Sequence, residues 1–558
     1  MKKRPLSAKS IWSSYECGCR FKSSIGLYDT VKRNENYFIG KQWEGVDANG
    51  LPTPTFNFLK RVVLFQVATV TSDNMTIQAS GLPSTGRRTA REMERITNIV
   101  NHQFQAIFER ERFVAKIREF MRNAAVDGDG CMYFWFDPSI ENGQEVKGEI
   151  RAEIVGNTRV LFGNPNSREV QTQPWIMIEK RMMTEDVQQM VEENGGNPDE
   201  IQPDSNMTDN EYYQYTNDKV TVLLYFYRDR ETGRIWCAES TEKVMLREPY
   251  DTGYTLYPII YMSWDYIQDC YHGQAMISGL VPNQDFVNKS FAMSGVSLMT
   301  SAFPKTVYDK NRIPFWSGAV GEAIGVPGNV EGVAKTIDPA PINPQIAQFL
   351  ELSIDKTQTF LGASDVAMGD SRPDNTSAII ALQRAANTPM ELTKQNMYQC
   401  VEDAGRIWID MMRAKYGVRY VEDRMYIDQP GMQPLGMALP PQEFTAKFDF
   451  STELENVNLS IKLDVGASSY WSEIASMQTI DNLLMQNKIS LVEYLERVPQ
   501  GYIAKKQELI DARNGQNAPP VSSGSGSAGT AGPIDAIPVE GGPGNGMLQR
   551  ALNRTGVT

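Results

Sequence analysis

Two histidines, His102 and His272, are all the imidazole chemistry that 558 residues offer, and they lie far apart in different segments. A histidine-based nucleophile relay or a His-rich metal centre is therefore nearly excluded. His102 falls in a long charged helical stretch and reads as a surface or boundary residue, while His272 precedes a helix and reads as a local hydrogen-bonding group. Cys17-Gly-Cys19 is the one close cysteine pair. Without further ligands nearby it is a weak metal signal. Cys131, Cys237, Cys270 and Cys400 are scattered among apolar residues and read as buried reduced thiols rather than a disulfide framework. Asp127-Gly128-Asp129-Gly130 starts like a calcium loop but lacks the later ligands, so it reads as a tight turn between helix and strand. Glu402-Asp403 is the kind of carboxylate pair that sits on a solvated helix face. No GxxxxGK[ST] phosphate loop is present. The Gly-rich C-terminal run has no strand-then-helix context for dinucleotides. The expectation is a protein without catalytic residues, cofactor or metal.

With 41% apolar and 22% charged residues, the chain can bury a core divided among two to four cooperating domains. Its formal net charge is −13. A protein that grips DNA statically presents a basic face, whereas this chain on balance repels phosphate. Either DNA is no partner, or DNA must pass without sticking. No stretch approaches the roughly 18 apolar residues of a membrane span, and no apolar signal core follows the basic Met1–Ser10 segment. The chain is expected to be soluble, not secreted, with no membrane partner.

The elements that would position any function change character along the chain. Residues 22 to 130 read as mostly helical. Phe21–Gly40 stops at Gly40, Phe56–Val70 has helical spacing, and Thr71–Ala79 turns β-like. Arg88–Ala125 is a long charged helix with Ile96, Val100, Phe104 and Phe108 on one face. From Gly130 the period becomes two, giving strands at Cys131–Phe136, Glu149–Val155, Trp175–Lys180, Val220–Tyr227 and Arg234–Cys237, with a polar surface loop at Glu193–Asp218. Gln274–Met299 is helical again, and Ile277, Leu280, Gln284, Val287, Phe291, Ser294 and Leu298 form a heptad seam suited to packing against copies of itself. Pro282 inside it implies a kink or a fresh helix start. Thr300–Pro344 reads as a small β-rich module. Gln345–Leu361 reads as a helix with Ile346, Leu350, Ser353, Thr357 and Leu361 on one face. A loop at Gly362–Asn375 leads to a long helix, Thr376–Lys415, kinked at Pro389. Strands return over Arg419–Asp464, short helices follow, and the Gly-, Pro- and Ser-rich chain from Gly515 lacks the apolar content to fold. The fold class is α+β, mainly helical.

That order of elements resembles the portal proteins of tailed bacteriophages, the head-to-tail connector family. Local wording is similar too: Asn34-Glu35-Asn36-Tyr37-Phe38-Ile39-Gly40-Lys41-Gln42-Trp43, then Phe56-Asn57-Phe58-Leu59-Lys60-Arg61, then Leu280-Val281-Pro282-Asn283-Gln284-Asp285-Phe286-Val287-Asn288-Lys289, then Ala302-Phe303-Pro304-Lys305. The resemblance covers roughly residues 20 to 510 and implies a division of the chain. Residues 1–270 would form the wing, with a helical and a β-rich part. Residues 271–299 and 345–361 would be the stem helices, and 300–344 the clip between them. Residues 362–416 would be the tunnel loop and its kinked helix, 417–464 further wing strands, 465–513 the crown, and 514–558 a disordered tail.

The same resemblance implies a dodecameric ring at one capsid vertex of the virion, assembled in the host bacterial cytoplasm. Double-stranded DNA would be packaged and ejected through it. Partners would be other copies of the chain, the large terminase subunit and then the head–tail adaptor at the clip, and the major capsid and scaffolding proteins. Polar, mixed in charge and set between two long helices, the loop is expected to face DNA at its narrow point through Asp370, Ser371, Arg372, Asp374, Asn375 and Thr376, with Pro389 letting the following helix bend; Gln284, Asn288 and Lys289 would belong to the channel or stem, Lys289 facing the channel or pairing with a neighbouring copy. Two rivals stand beside this reading. Another ring-forming connector or tail protein leaves the stem–clip–stem order unexplained. A metal-dependent nuclease needs a convergent acidic cluster that the sequence does not display. A ring without magnesium-dependent nuclease activity separates the first reading from the last.

Overall fold

The structure is a computed structural model. It describes residues 6–47, 52–73, 75–81, 89–204, 218–302, 305–315, 324–337, 345–360, 390–425, 442–455 and 459–465, with a few single positions besides. The chain divides into two units, Met1–Glu473 and Ile474–Thr558, and every helix and strand named below belongs to the first.

Three helices open the chain. α1 (Ala8–Ser24) begins at a Ser7–Ser10 capping box. The helical stretch read as starting at Phe21 is interrupted at Ile25–Gly26, and α2 (Leu27–Ile39) ends at Gly40, whose φ of 97° is the left-handed cap that glycine takes without a Cβ penalty. α3 (Phe58–Val70) is capped by Asn57, which accepts from Lys60 N. After β1 (Met75–Gly81), the expected single long helix is two: α4 (Ala90–Arg110) and α5 (Phe113–Asp127). Nothing in the helix-forming sequence Glu109-Arg110-Glu111-Arg112 demands the break. It comes from Glu111, whose buried carboxylate accepts Ala152 N at 2.9 Å and pairs with Lys116 at 2.6 Å and Arg151 at 3.1 Å. Reaching a strand with that side chain puts Arg112 at φ 48°. Ile96, Val100 and Phe104 are buried, as their spacing predicts.

The β-rich part forms two antiparallel sheets. β2 (Asp129–Asp137), β3 (Glu149–Ile154) and β9 (Ile259–Ser263) make one, in the order β3-β2-β9. β4 (Val160–Phe162), β5 (Trp175–Met183), β6 (Lys219–Arg228), β7 (Ile235–Ser240) and β8 (Met245–Asp251) make the other, in sequential order. α6 (Thr184–Glu193) follows β5. The stretch expected as a free polar loop from Glu193 is tied down as far as Asp204. Ile201 is buried with Val187, Val191, Val220, Val222 and Leu246, and Asp204 accepts from Thr221 N at 2.8 Å and pairs with Arg181. Residues 205–217 of that loop lie outside the described residues.

The later elements are α7 (Val281–Ala302), β10 (Lys305–Tyr308), β11 (Ala334–Ile337), α8 (Gln345–Phe360), α9 (Glu391–Lys415), β12 (Val418–Met425), β13 (Gln442–Asp449), α10 (Phe450–Glu453) and β14 (Leu459–Val465). β1 pairs with β14 from Met75↔Val465 to Gly81↔Leu459, so the two ends of the unit share a ladder. α9 crosses that ladder at Gly405, where a Cβ would come within 3.0 Å of Ile77 and 3.1 Å of Ile461. The core centres on Trp408 of α9, edge-on to Phe113 at 4.9 Å and to Phe134 at 5.9 Å. The 376–389 part of the long helix, residues 361–375, and the expected crown and tail segments fall outside the described helices and strands.

Candidate functional site

α7, the β10–β11 hairpin and α8 form an arm, and its root is built by side chains from α2 and from the segments flanking α3. Pro282 is the second residue of α7, so it starts a fresh helix rather than kinking one. A short turn, Met276–Gly279, leads into it. Over the first half of α7, Val281, Gln284, Val287 and Asn288 are buried. Gln284 Nε2 donates to Phe56 O at 2.7 Å and to Asn288 Oδ1 at 2.9 Å. Asn288 Nδ2 donates to Gln42 Oε1 at 2.6 Å, and Asn288 Oδ1 accepts Phe56 N at 3.3 Å. Gln42 Nε2 continues the chain to Tyr37 O at 3.0 Å. Asn57 Nδ2 donates to Tyr37 O and Phe38 O, and Trp43 Nε1 donates to Pro54 O at 3.1 Å. The Tyr37 hydroxyl donates to Asp285 Oδ1. Burial and that carboxylate push the phenol up to about 12. Phe56 packs on Phe291 with ring centroids 4.1 Å apart. The amides relay hydrogen bonds through a buried place, where an unmade bond would cost about 1–3 kcal/mol.

Gln284 and Asn288, read from sequence as channel-side stem residues, therefore turn inward in the protomer, because residues 42–57 need their amides. Lys289 is exposed and lies 3.9 Å from Asp285 one turn back. Asp370, Ser371, Arg372, Asp374, Asn375, Thr376 and Pro389 lie outside the described residues.

Beyond its root the arm is uncovered. Leu298, the last member of the heptad seam, is 63% exposed, and Met293 beside the seam is 71% exposed, so the outer end of α7 is left uncovered by the described residues. Val307 of β10 and Ile337 of β11 are exposed too, as is Phe315 at 79% beyond β10. α8 closes back on α7 through Asn283 Nδ2 to Thr357 Oγ1 at 3.1 Å and through Phe286 edge-on to Phe349 at 5.9 Å. Leu350 and Thr357 of its expected face are buried, but Phe349 and Leu352 are exposed. Apolar side chains left open in this density mark a surface made for protein contact.

Residues of the first three sequence signatures thus meet in one place, the root of the arm. A family model described as phage P22-like portal protein matches residues 27–420, which is more than half of the chain and runs from the first residue of α2 into β12. The chain belongs to the phage P22-like portal protein family. No curated protein matches it. Membership implies a ring assembly at the capsid vertex of a phage virion, and the expected recognition as a tailed-phage portal protein stands. The fold is mixed helix and sheet, and the described strands form no closed barrel. No helix among the described residues is long and apolar enough to cross a membrane.

Behind the root of this portal-family arm lies a buried polar junction that sequence reading reduced to a turn. Asp129, fully buried, accepts Ser263 Oγ and Gly273 N at 2.8 Å on one oxygen, and His272 Nδ1 at 2.8 Å and Asn157 Nδ2 at 3.2 Å on the other. Lys22, also fully buried, donates to Asn157 O at 2.9 Å and Thr158 O at 2.8 Å, and burial lowers its ammonium to about 8. Burial likewise lowers His272, against the pull of Asp129. Serine, aspartate and histidine meet here in the wrong order for a nucleophile, because Ser263 donates to the carboxylate and not to the imidazole. Among the described residues no group of three or more His, Cys, Asp and Glu could hold a metal ion. The sequence signal that could have found the junction was Asp127-Gly128-Asp129-Gly130 itself, two acids beside glycines at a helix–strand boundary.

Proposed function

We propose that copies of this chain close into a dodecameric ring at one capsid vertex and form the channel through which double-stranded DNA is packaged and later ejected. α7 and α8 are the stem helices, and the segment holding β10 and β11 is the clip that docks the large terminase subunit and then the head–tail adaptor. The helices and sheets before α7, with β12–β14, are the wing, and residues 362–416 the tunnel loop and its helix. The major capsid and scaffolding proteins meet the ring from the head side. The protein works without catalysis.

The observation that carries this reading is the contrast within the arm. Its root is locked by a buried amide relay, while its outer half leaves Met293, Leu298, Val307 and Phe349 uncovered. A neighbouring stem is the natural cover for such a stripe. The net charge of −13 per chain, multiplied around a ring, keeps DNA phosphates from settling on the wall.

Complementation of a phage lacking its own portal tests the proposal. The double variant Met293→Asp/Leu298→Asp is expected to give unfilled heads, and normal phage yield would contradict the stem assignment. Deleting residues 369–375 tests the tunnel loop separately. DNA is expected to leak after packaging, and unchanged packaging and retention would defeat that assignment.

A further inference from the structure

Asp127 and Asp129 stand two residues apart, and both are more than nine-tenths buried, yet their surroundings differ in kind. Each oxygen of Asp129 accepts two donors. Asp127 Oδ1 is buried and accepts none. The neighbour of Asp127 is a second carboxylate, Glu35 of α2, whose charge is already taken by Arg122 of α5 through both guanidinium nitrogens. A buried carboxylate oxygen that no donor reaches, beside a second carboxylate, favours a proton on its group. Burial first, and the Glu35 charge second, raise Asp127 to about 8.

The same two residues flank the fastening of the arm. Asn34, next to Glu35, is fully buried and donates through Nδ2 to Val126 O, next to Asp127, and to Ser278 Oγ in the turn before α7. Its Oδ1 is buried and unpartnered, as are His272 Nε2 and Gln284 Oε1 nearby along the chain into the arm. Each buried polar atom left unsatisfied carries a cost, so a small change in the charge beside it can tip the fastening. We propose that the root of the arm is a proton-sensitive joint: a proton on Asp127 seats the Met276–Gly279 turn and α7 on the body, and its loss loosens them.

The other charged groups around the pair are accounted for. Lys22 of α1 is committed to the carbonyls of Asn157 and Thr158. Arg122 and Glu119 share α5 with Asp127; Arg122 pairs with Glu35 and also draws Asp127 toward its charged form, but burial and the Glu35 charge outweigh it. Asp129 of β2 adds a further negative charge that favours the proton. His272, held by Asp129, is pushed toward its neutral form and supplies no opposing cation at neutral pH.

Hydrogen exchange of the full-length chain, corrected for the intrinsic pH effect, tests the joint at pH 6 and pH 9. Peptides covering 274–290 are expected to exchange several-fold faster at pH 9, with those of β5 and β6 unchanged. Asp127→Asn is expected to abolish that difference. Equal protection at both pH values, or the same difference in Asp127→Asn, would overturn the proposal. Should the variant fold poorly, infrared spectra of the unaltered protein decide. A protonated carboxyl band at pH 7 that titrates away by pH 9.5 supports the joint, and a spectrum without one overturns it.

Discussion

At the scale of residues, the molecule spends its buried charge on fixing chain segments to one another rather than on chemistry. Asp129 gathers donors from three separate stretches, at Asn157, Ser263 and His272–Gly273. Replacing it with alanine strands those donors in the core, and the expected loss is about 3–5 kcal/mol of unfolding free energy by chemical denaturation. A variant within about 1 kcal/mol of the parent would show the junction to be ornamental. Two ionisable groups give the stability a pH signature. Asp127 holds its proton in the folded state up to about 8 but in the unfolded chain only to the ordinary aspartate range near 4. Between those limits the folded state binds more protons, so its contribution is complete in acid and lost as pH rises to about 8. Lys22 acts oppositely in the next window. Its folded ammonium titrates near 8 and its unfolded one above 10, so stability recovers with pH over that range. Asp127→Asn is expected to flatten the melting temperature between pH 5 and 8, and Lys22→Met to flatten it above 8, both by calorimetry.

At the scale of elements, local patterns were legible and their interruptions were not. The helical spacing of residues 56–70, the Gly40 stop, the β periods after Gly130 and the helix–β–helix order around 300–344 all appear as elements where the residues place them. The break between α4 and α5 did not appear, because its cause is a strand forty residues away that takes the Glu111 carboxylate. α6 carries a weak sequence signal, because its apolar face is only Val187 and Val191. The heptad seam of α7 was legible as a stripe, but a stripe does not name its partner. Gln42 and Phe56 fill it from within the chain as far as Phe291, and its last member, Leu298, is open. The edges of the three-stranded sheet show the same reach: β3 is closed by Glu111, Arg110 and Lys116 on its backbone, a protection no window of sequence displays. Gln284→Ala removes the donor to Phe56 O and Asn288 Oδ1, and is expected to cost about 1–3 kcal/mol. Its mark should be faster exchange in the first turns of α7 and unchanged exchange in the five-stranded sheet. Equal exchange in both would mean that the relay does not hold the root.

At the scale of the whole molecule, function is written in what a single chain leaves unfinished. The four sequence signatures are separated by up to some 270 positions, and no periodicity joins them. Folding brings three of them together at the root, and the last leads out of α7 toward β10. The sequence could not show this convergence, because it rests on side-chain amides meeting across α2, α3 and α7. The exposed apolar stripe of the arm makes assembly the natural completion of the fold. Charged substitutions there are expected to spare the protomer, since surface changes shift stability by only about 0.5 kcal/mol. Met293→Asp/Leu298→Asp should therefore keep its melting temperature and lose its oligomer in sedimentation; a variant that still assembles would mean the stripe is not the contact. The most direct test of the account is electron microscopy of the purified full-length chain. It predicts closed rings with an open central channel walled by α7 and α8 of adjacent copies. Compact particles without a central hole, or rings whose α7 and α8 point away from the channel, would contradict it.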